Sequence, residues 1–569
     1  AKRPSLDADP VDVSLVGTIQ PTAGAGPSDL KAKQPATEPH AQNGSHVSHV
    51  TSARTAEHKL SGSVTKQGFH TDILAEKSSH VSGLVHESNM KEFLSKYDAK
   101  HGTELGRGAC GTVMSVRNIH TDELFAMKTV NVADMGSWDD LQNEIETQRK
   151  LDHPNICKIL ESFADKRHGQ VWIVMELCTG GSLVSRMKDH RHGYGEAAAA
   201  TLIEKMLSAT LYCHHHGIVH RDIKLDNMIY EDEREDAELK LIDFGFAQRV
   251  RPGHETMYDQ LGTPSYMAPE LWGHRDTPYD SSVDMWALGV VTYMLLSGQR
   301  PFHHSDKKEK ARMIREDPLR FPDKDWDHIS QEAKDFCTAL MQKRPKERLP
   351  ASEAIHHPWI KKRSKIHHGQ DAANILVKHK EVAQALESYA EKDELAKLAL
   401  EVIAFETPPS KFEELRLLFQ KMDMDGSGTI DFSEFKQAMS SQGISLERLE
   451  QIFNSIDVSH NGEVDYTEFL AAAAPSQHNL VARTSIKSAF MSLDRDGDGY
   501  ITKEDIISSL GSQATEVAIK KYLAHADEEG RVSFMAFKMS MMSELASTEA
   551  KKAEEHLFRI SSGRQGSDQ

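Results

Sequence analysis

One pattern of oxygen-bearing residues is written repeatedly into the last third of the chain. It reads Asp423-x-Asp425-x-Ser427-Gly428-x-Ile430-x-x-x-Glu434. Oxygen side chains fill positions 1, 3 and 5, glycine turns the backbone at 6, an apolar residue at 8 faces inward, and a glutamate that can bind through both oxygens closes the loop at 12. Such a loop belongs between two helices, here expected over Phe412–Met422 and Phe432–Met439. The pattern returns as Asp457, Ser459, Asn461, Gly462, Val464 and Glu468, then as Asp494, Asp496, Asp498, Gly499, Ile501 and Asp505. The loops start 34 and 37 residues apart, as an internal repeat should. With Thr429, Glu463 and Tyr500 at position 7, each set can hold a hard divalent cation. Asp505 is one methylene shorter than glutamate, so Mg²⁺ competes better there. A fourth register begins at His525 and continues through Asp527, Glu529, Gly530 and Val532, but has Ala536 at position 12. It is expected to fold with the third and to bind a cation poorly.

A second chemistry lies upstream. Residues 220–227 read His-Arg-Asp-Ile-Lys-Leu-Asp-Asn, placing a carboxylate (Asp222), an ammonium (Lys224) and an amide (Asn227) within one short run. Phosphoryl transfer needs that set: a base for a hydroxyl, a cation against the transferred group, and an oxygen for a metal ion. Ahead of it, Gly106-x-Gly108-x-x-Gly111-x-Val113 lies between β-like runs, and Phe-Ala126-Met-Lys128 follows. Glycines allow close approach to phosphates, and a strand lysine just beyond can reach them. A helix is expected over Asp139–Leu151, on which Glu144 is the natural partner of Lys128; the neighbouring Glu146 reads as a solvated acid. The buried strand Val171–Met175 runs into Glu176-Leu177-Cys178, a hinge whose backbone can bind an adenine edge. The strand Leu239–Ile242 ends at Asp243-Phe244-Gly245, where the carboxylate can take Mg²⁺.

Together these residues resemble the protein kinase family. The resemblance takes in Gly262-Thr-Pro-Ser-Tyr-Met-Ala-Pro-Glu270, Asp284-Met-Trp-Ala-Leu-Gly289 and Arg348. It implies that Glu270 pairs with Arg348, that Asp284 supports the catalytic loop, and that Lys224 with Gly262-Thr263 marks a serine/threonine enzyme. By that resemblance Asp222, Lys224 and Lys128 are catalytic. Gly106, Gly108, Gly111, Val113, Ala126, Lys128, Glu144, Glu176, Cys178, Asn227 and Asp243 bind ATP, with Mg²⁺ on Asn227 and Asp243. Ser182 stands where many kinases that favour basic substrates carry glutamate, and Asp226 keeps one acid nearby; Leu225 replaces the usual proline. Arg221 wants an anion from the following segment, where Glu255, Asp259, Thr256 and Tyr258 lie; a carboxylate is favoured over a phosphate.

The rest of the chain frames these two units. Residues 1–96 are rich in small polar residues, proline and scattered histidines, and read as a disordered leader. The kinase unit spans 97–360 and a junction spans 361–410. Within the junction, Lys361–Lys365 is basic and Ala372–Phe405 is expected to form an amphipathic helix, followed by Thr407-Pro-Pro-Ser410, where Ser410 can cap the next helix. The cation-binding unit covers 411–543 as four repeats (411–440, 446–475, 482–511 and a degenerate 515–543), and 544–569 is a tail. The formal net charge of −18 argues against nucleic acid as a partner. The five scattered cysteines (Cys110, Cys157, Cys178, Cys213, Cys337) suit reduced thiols and a cytoplasmic setting, with membrane association not readable.

A kinase, an amphipathic junction and four EF-hand repeats closely resemble the calcium-dependent protein kinase family, whose junction sequence Glu394–Ala404 resembles. The fold implied is α+β, a two-lobed kinase followed by an all-α EF-hand unit. The resemblance implies a kinase that phosphorylates protein Ser/Thr, with a junction that inhibits it until Ca²⁺ loads the chain's own hands and draws the junction away. Two alternatives stand beside it: a kinase-inactive calcium-sensing scaffold, tested by ATP turnover, and a kinase activated by separate calmodulin, in which loss of Glu434 and Glu468 leaves activation intact.

Overall fold

The apolar run Leu124–Met127, with Phe125, Ala126, Met127 and Val130 buried, suits the strand Leu124–Asn131 to the centre of a curved sheet, between Gly111–Asn118 and Gln170–Met175. Ile159–Asp165 continues the sheet beyond Gln170–Met175, and Glu87–Ser88 adds a short parallel edge. Glu104–Gly108 and Tyr97–Asp98 both pair with Gly111–Asn118 on the other side. The computed structural model describes residues 87–88, 90–108, 111–134, 137–251, 256–273, 277–364, 380–477, 483–510 and 516–542. Cys110, Glu255, residues 365–379, the tail 544–569 and most of the segment read as leader lie outside the described residues.

The folded unit begins earlier than the expected boundary at residue 97. A helix, Met90–Lys96, precedes it, and Phe93 enters the small-lobe core with its ring 5.3 Å from Phe163 and 5.6 Å from Tyr97. One aromatic residue in a polar stretch carries too little periodicity to announce a helix. The helix expected over Asp139–Leu151 is Trp138–Arg149; Ser137 caps it by accepting from the Asp140 N–H, and Leu141 and Ile145 face the sheet.

The large lobe is built on helices Glu196–His215, Ser282–Ser297 and Gln331–Leu340. Ser282–Ser297 is buried on every side, as its almost uninterrupted apolar sequence requires. Two small antiparallel ribbons lie at the lobe boundary, Met228–Tyr230 with Leu239–Leu241, and Ile218–Val219 with Gln248–Arg249. They carry the catalytic run and the Asp243 turn.

The junction departs from the expected single helix. Its described part forms two, Lys380–Tyr389 and Glu394–Glu406, because Asp393 accepts from the Ala396 N–H at 2.8 Å and starts a new helix there. Ser410 caps nothing: Pro409–Phe412 is a single 3₁₀ turn, and the helix Glu413–Met422 starts after it without a side-chain cap. The cation loops pair as repeats should. Ile430 lies opposite Val464, joining the first loop to the second, and Ile501 lies opposite Val532, joining the third to the fourth. Around Glu394–Glu406 pack the helices Tyr466–Ala473, Arg483–Leu493 and Glu516–Tyr522. Leu395, Leu398, Leu400, Val402, Ile403 and Phe405 are all buried.

Candidate functional site

The glycine-rich hairpin is the tight part of the cleft roof. Gly111 has φ +151°, and a Cβ there would fall 1.9 Å from the carbonyl oxygen of Thr129. Gly106 pairs with Val113 and Gly108 with Gly111 across the hairpin. Val113 in turn lies opposite Lys128, and Ala126 lies opposite Ser115 and Met175. Lys128 Nζ sits 3.3 Å from Glu144 Oε1. Burial lifts the Glu144 carboxyl above its ordinary value; the Lys128 ammonium holds it down and the Asp243 charge adds to the rise.

At the hinge the side chain of Glu176 turns away from the cleft. It is buried, lies 2.9 Å from Lys240 Nζ, and accepts from the Lys158 N–H at 2.7 Å. Contact between Glu176 and a nucleotide is therefore a matter for its backbone. A hydrogen bond with Cys157 and burial push the Cys178 thiol well above its ordinary value.

The catalytic run is held from below by one buried carboxylate. Asp284 accepts from the backbone N–H of His220 at 2.9 Å and of Arg221 at 2.8 Å, and from His214 Nε2 at 2.9 Å. Asp222 is buried, with Lys224 Nζ 2.5 Å from Oδ2 and the Thr263 hydroxyl and N–H 2.7 and 3.0 Å from Oδ1. Asn227 Nδ2 donates to the Asp222 carbonyl at 2.9 Å, which turns its amide oxygen away from Asp222. The Ile242 N–H donates to the Asn227 carbonyl at 2.9 Å and brings Asp243, at φ +66°, beside the same run. The Phe244 ring packs edge-on to His220, 4.8 Å between centroids. Glu270 and Arg348 form a two-pronged pair at 2.8 and 3.1 Å. Arg221 donates to the Phe246 carbonyl and to Tyr279 Oη, with the Asp259 carboxylate 3.9 Å away. Tyr258 is exposed.

The cation loops share one internal scheme. In the first, Glu434 accepts from the N–H groups of Met424 and Asp431, and Asp423 accepts from that of Gly428. In the second, Glu468 takes the N–H of Ser459 and Asp465, and Asp457 that of Gly462. The shorter Asp505 still reaches both ends of the third loop, at Arg495 N and Thr502 N. Ligand oxygens of Asp423, Asp425 and Glu434 lie within 4.8 Å of one another, and so do those of Asp494, Asp496 and Asp505. Ser427, Thr429, Ser459, Asn461, Glu463, Asp498 and Tyr500 fall within the same loops. Burial, with the Asp423 charge next, pushes Glu434 up to about 8, and burial with Asp425 raises Asp423 well above its ordinary value. These are oxygen donors crowded around a point, and a divalent cation fits them.

Arg531 is the residue that sequence reasoning passed over in the fourth loop. Its guanidinium lies 2.6 Å from Glu529 and 3.4 Å from Asp527, and stacks 4.3 Å from the Tyr500 ring of the third loop. A cationic side chain thus stands among the loop's acids, and the missing carboxylate at Ala536 is the signal that pointed there.

The two units touch through buried polar groups that the motifs did not mark. Asp152 accepts from both the N–H and the hydroxyl of Thr467, at 2.6 and 2.8 Å. Lys158 Nζ donates to the same hydroxyl at 3.0 Å. Arg416 pairs with Glu231 at 2.9 Å and Glu238 at 3.3 Å. An arginine between Leu415 and Leu417 on an amphipathic helix was the available clue to that last contact.

A bilobal fold with this catalytic run defines a protein kinase, here continuous with paired EF-hands. Comparisons with known families agree: the protein kinase domain matches residues 99–360, the EF-hand domain pair matches 412–474, and a further EF hand matches 486–508. The chain is 32% identical over 449 residues to calcium-dependent protein kinase 33 of Arabidopsis thaliana, covering 77% of this chain and 84% of that protein. It is 31% identical over 448 residues to calcium-dependent protein kinase 3 of Plasmodium berghei (strain Anka), covering 76% and 78%. The chain belongs to the calcium-dependent protein kinases and is a serine/threonine protein kinase.

Proposed function

We propose that the chain transfers the γ-phosphoryl group of ATP to Ser or Thr hydroxyls of protein substrates, and that Ca²⁺ in its own EF-hands withdraws an inhibitory junction. Lys128, kept in line by Glu144, orients the phosphates under the glycine hairpin. Asp222 orients the substrate hydroxyl and accepts its proton, while Lys224 neutralises charge on the transferred group. The amide oxygen of Asn227 and the carboxylate of Asp243 would hold Mg²⁺, which supplies neutralisation of phosphate charge. In the regulatory unit the three loops that begin at Asp423, Asp457 and Asp494 would hold Ca²⁺. Ser182, whose neutral hydroxyl caps the short helix Leu183–Arg186, offers no anion to a basic substrate, and Asp226 is the exposed acid nearby.

One observation carries the regulatory reading. The helix Glu394–Glu406 is enclosed by the chain's own hands while Lys128–Glu144 and the Asp222 cluster are assembled. A ligand shifts such an equilibrium only as far as it binds one state more tightly. The same enclosure disfavours activation by separate calmodulin, which would need that face. Phosphorylation of a mixed peptide library, without calmodulin, in chelator and in Ca²⁺ tests the proposal; equal rates would overturn it.

A further inference from the structure

The three complete loops have one internal geometry but different surroundings. In the second and third, a Cβ added to the position-6 glycine, Gly462 or Gly499, would meet nothing within 4 Å. In the first, a Cβ on Gly428 would fall 2.2 Å from His153 Cδ2 and 3.0 Å from Tyr212, and one on Gly426 would fall 2.3 Å from Ile355. All three neighbours belong to the kinase. Asp423, Ser427 and Thr429 are accordingly buried, whereas Asp496 and Asp498 in the third loop are exposed. Asp425 stays exposed and leaves a path to solvent.

A hydrogen-bonded chain joins this wall to the loop backbone. The Asn155 N–H donates to His153 Nδ1 at 2.9 Å, so the ring proton sits on Nε2. Nε2 lies 3.0 Å from Ser208 Oγ, and the Ser208 hydroxyl donates to the Gly426 carbonyl at 3.1 Å. Gly426 lies between Asp425 and Ser427, two of the loop's oxygen donors.

We propose that the first calcium site is composite: the kinase residues His153, Ser208 and Ile355 form its outer wall and hold its backbone in the cation-binding shape. The loop then has less ordering to do when Ca²⁺ arrives, and its carboxylates face the ion with less competing water. Affinity at this site is linked to docking of the regulatory unit on the kinase, and the link is reciprocal: the docked kinase tightens the site, and the filled site tightens docking. The second and third loops lack such a wall around their position-6 glycines.

The inference rests on the calcium reading above, and its test separates the two. Calcium titration of the full chain by calorimetry is run on wild type, Ser208→Ala, Ile355→Ala and Glu434→Gln, and on each wall substitution combined with Glu434→Gln. Glu434→Gln is expected to delete one site. Ser208→Ala is expected to weaken one site about fivefold, the usual consequence of a lost hydrogen bond, and Ile355→Ala to weaken the same site through packing alone. Combined with Glu434→Gln, neither wall substitution changes the remaining sites. Unaltered affinities in both wall variants overturn the composite site. So does a shift of the remaining sites when Glu434→Gln is present, which would mark a general effect on folding. If Glu434→Gln deletes no site, the calcium reading itself falls.

Discussion

The Asp152 carboxylate takes both the N–H and the hydroxyl of Thr467, although the two residues lie 315 positions apart. Thr467 immediately precedes Glu468, the closing residue of the second loop, and Asp152 follows the helix that carries Glu144 by a few residues. A carboxylate of the kinase thus fixes the start of a calcium-binding helix.

Replacing Thr467 with valine keeps the shape and removes the hydroxyl shared by Asp152 and Lys158. The ligand residues are untouched. Burying an unsatisfied partner costs about 1–3 kcal/mol, so the free Ca²⁺ needed for half-maximal kinase activity is expected to rise about tenfold. Activity measured against buffered Ca²⁺ reads this directly, and an unchanged midpoint would show that the contact does not couple the units.

Asp222→Asn leaves the loop geometry largely intact but removes the base. Turnover is expected to fall by about 10²–10⁴-fold, with a much smaller change in nucleotide affinity. Steady-state phosphorylation and a nucleotide-binding titration on the same protein separate the two effects.

Glu238 gives the interface an acid limit. Burial alone would raise its carboxyl, but Lys205 and Arg416, with a hydrogen bond from Asn155, outweigh burial and hold it down at about 2. A carboxyl depressed in the folded state stabilises it fully above its ordinary 4.5, and that contribution is lost as pH falls toward 2. It is on the order of 3 kcal/mol. Glu238→Gln is expected to lower stability at neutral pH and to flatten its decline between those pH values, as followed by thermal unfolding in a pH series.

The fourth loop is expected to take no calcium, because Arg531 already lies among its acids. Asp527→Asn should leave the number of bound Ca²⁺ ions unchanged, whereas Asp494→Asn in the third loop should reduce it by one. Equilibrium dialysis gives both numbers. A drop on Asp527→Asn would mean that the fourth loop binds after all.

Both chemistries were legible in the sequence because each is local. The run from His220 to Asn227 and the loop from Asp423 to Glu434 carry their donors at fixed short spacings, set by the size of a phosphate or a cation. What joins the units was not legible. Asp152, His153, Ser208 and Glu238 look like ordinary polar residues near apolar ones, and their partners lie hundreds of positions away or on another lobe. No period or spacing records such a pairing. The break at Asp393 was hidden for a different reason: the apolar stripe continues across it, and only the cap geometry reveals two helices. Arg531 escaped because its effect depends on the fold of the loop around it.

The helix Glu394–Glu406 is mostly apolar, and nearly every residue on it, Lys397 and Glu401 included, is shielded from water. A segment of that character has no comfortable solvated form. When the hands do not enclose it, it must lie against another greasy surface, of this chain or of a neighbour. The off and on conditions are therefore two lodgings for one helix, and the passage between them is its most hazardous moment. Chains caught midway would be prone to stick to one another, so slow or partial calcium loading at high protein concentration is where self-association should first be seen.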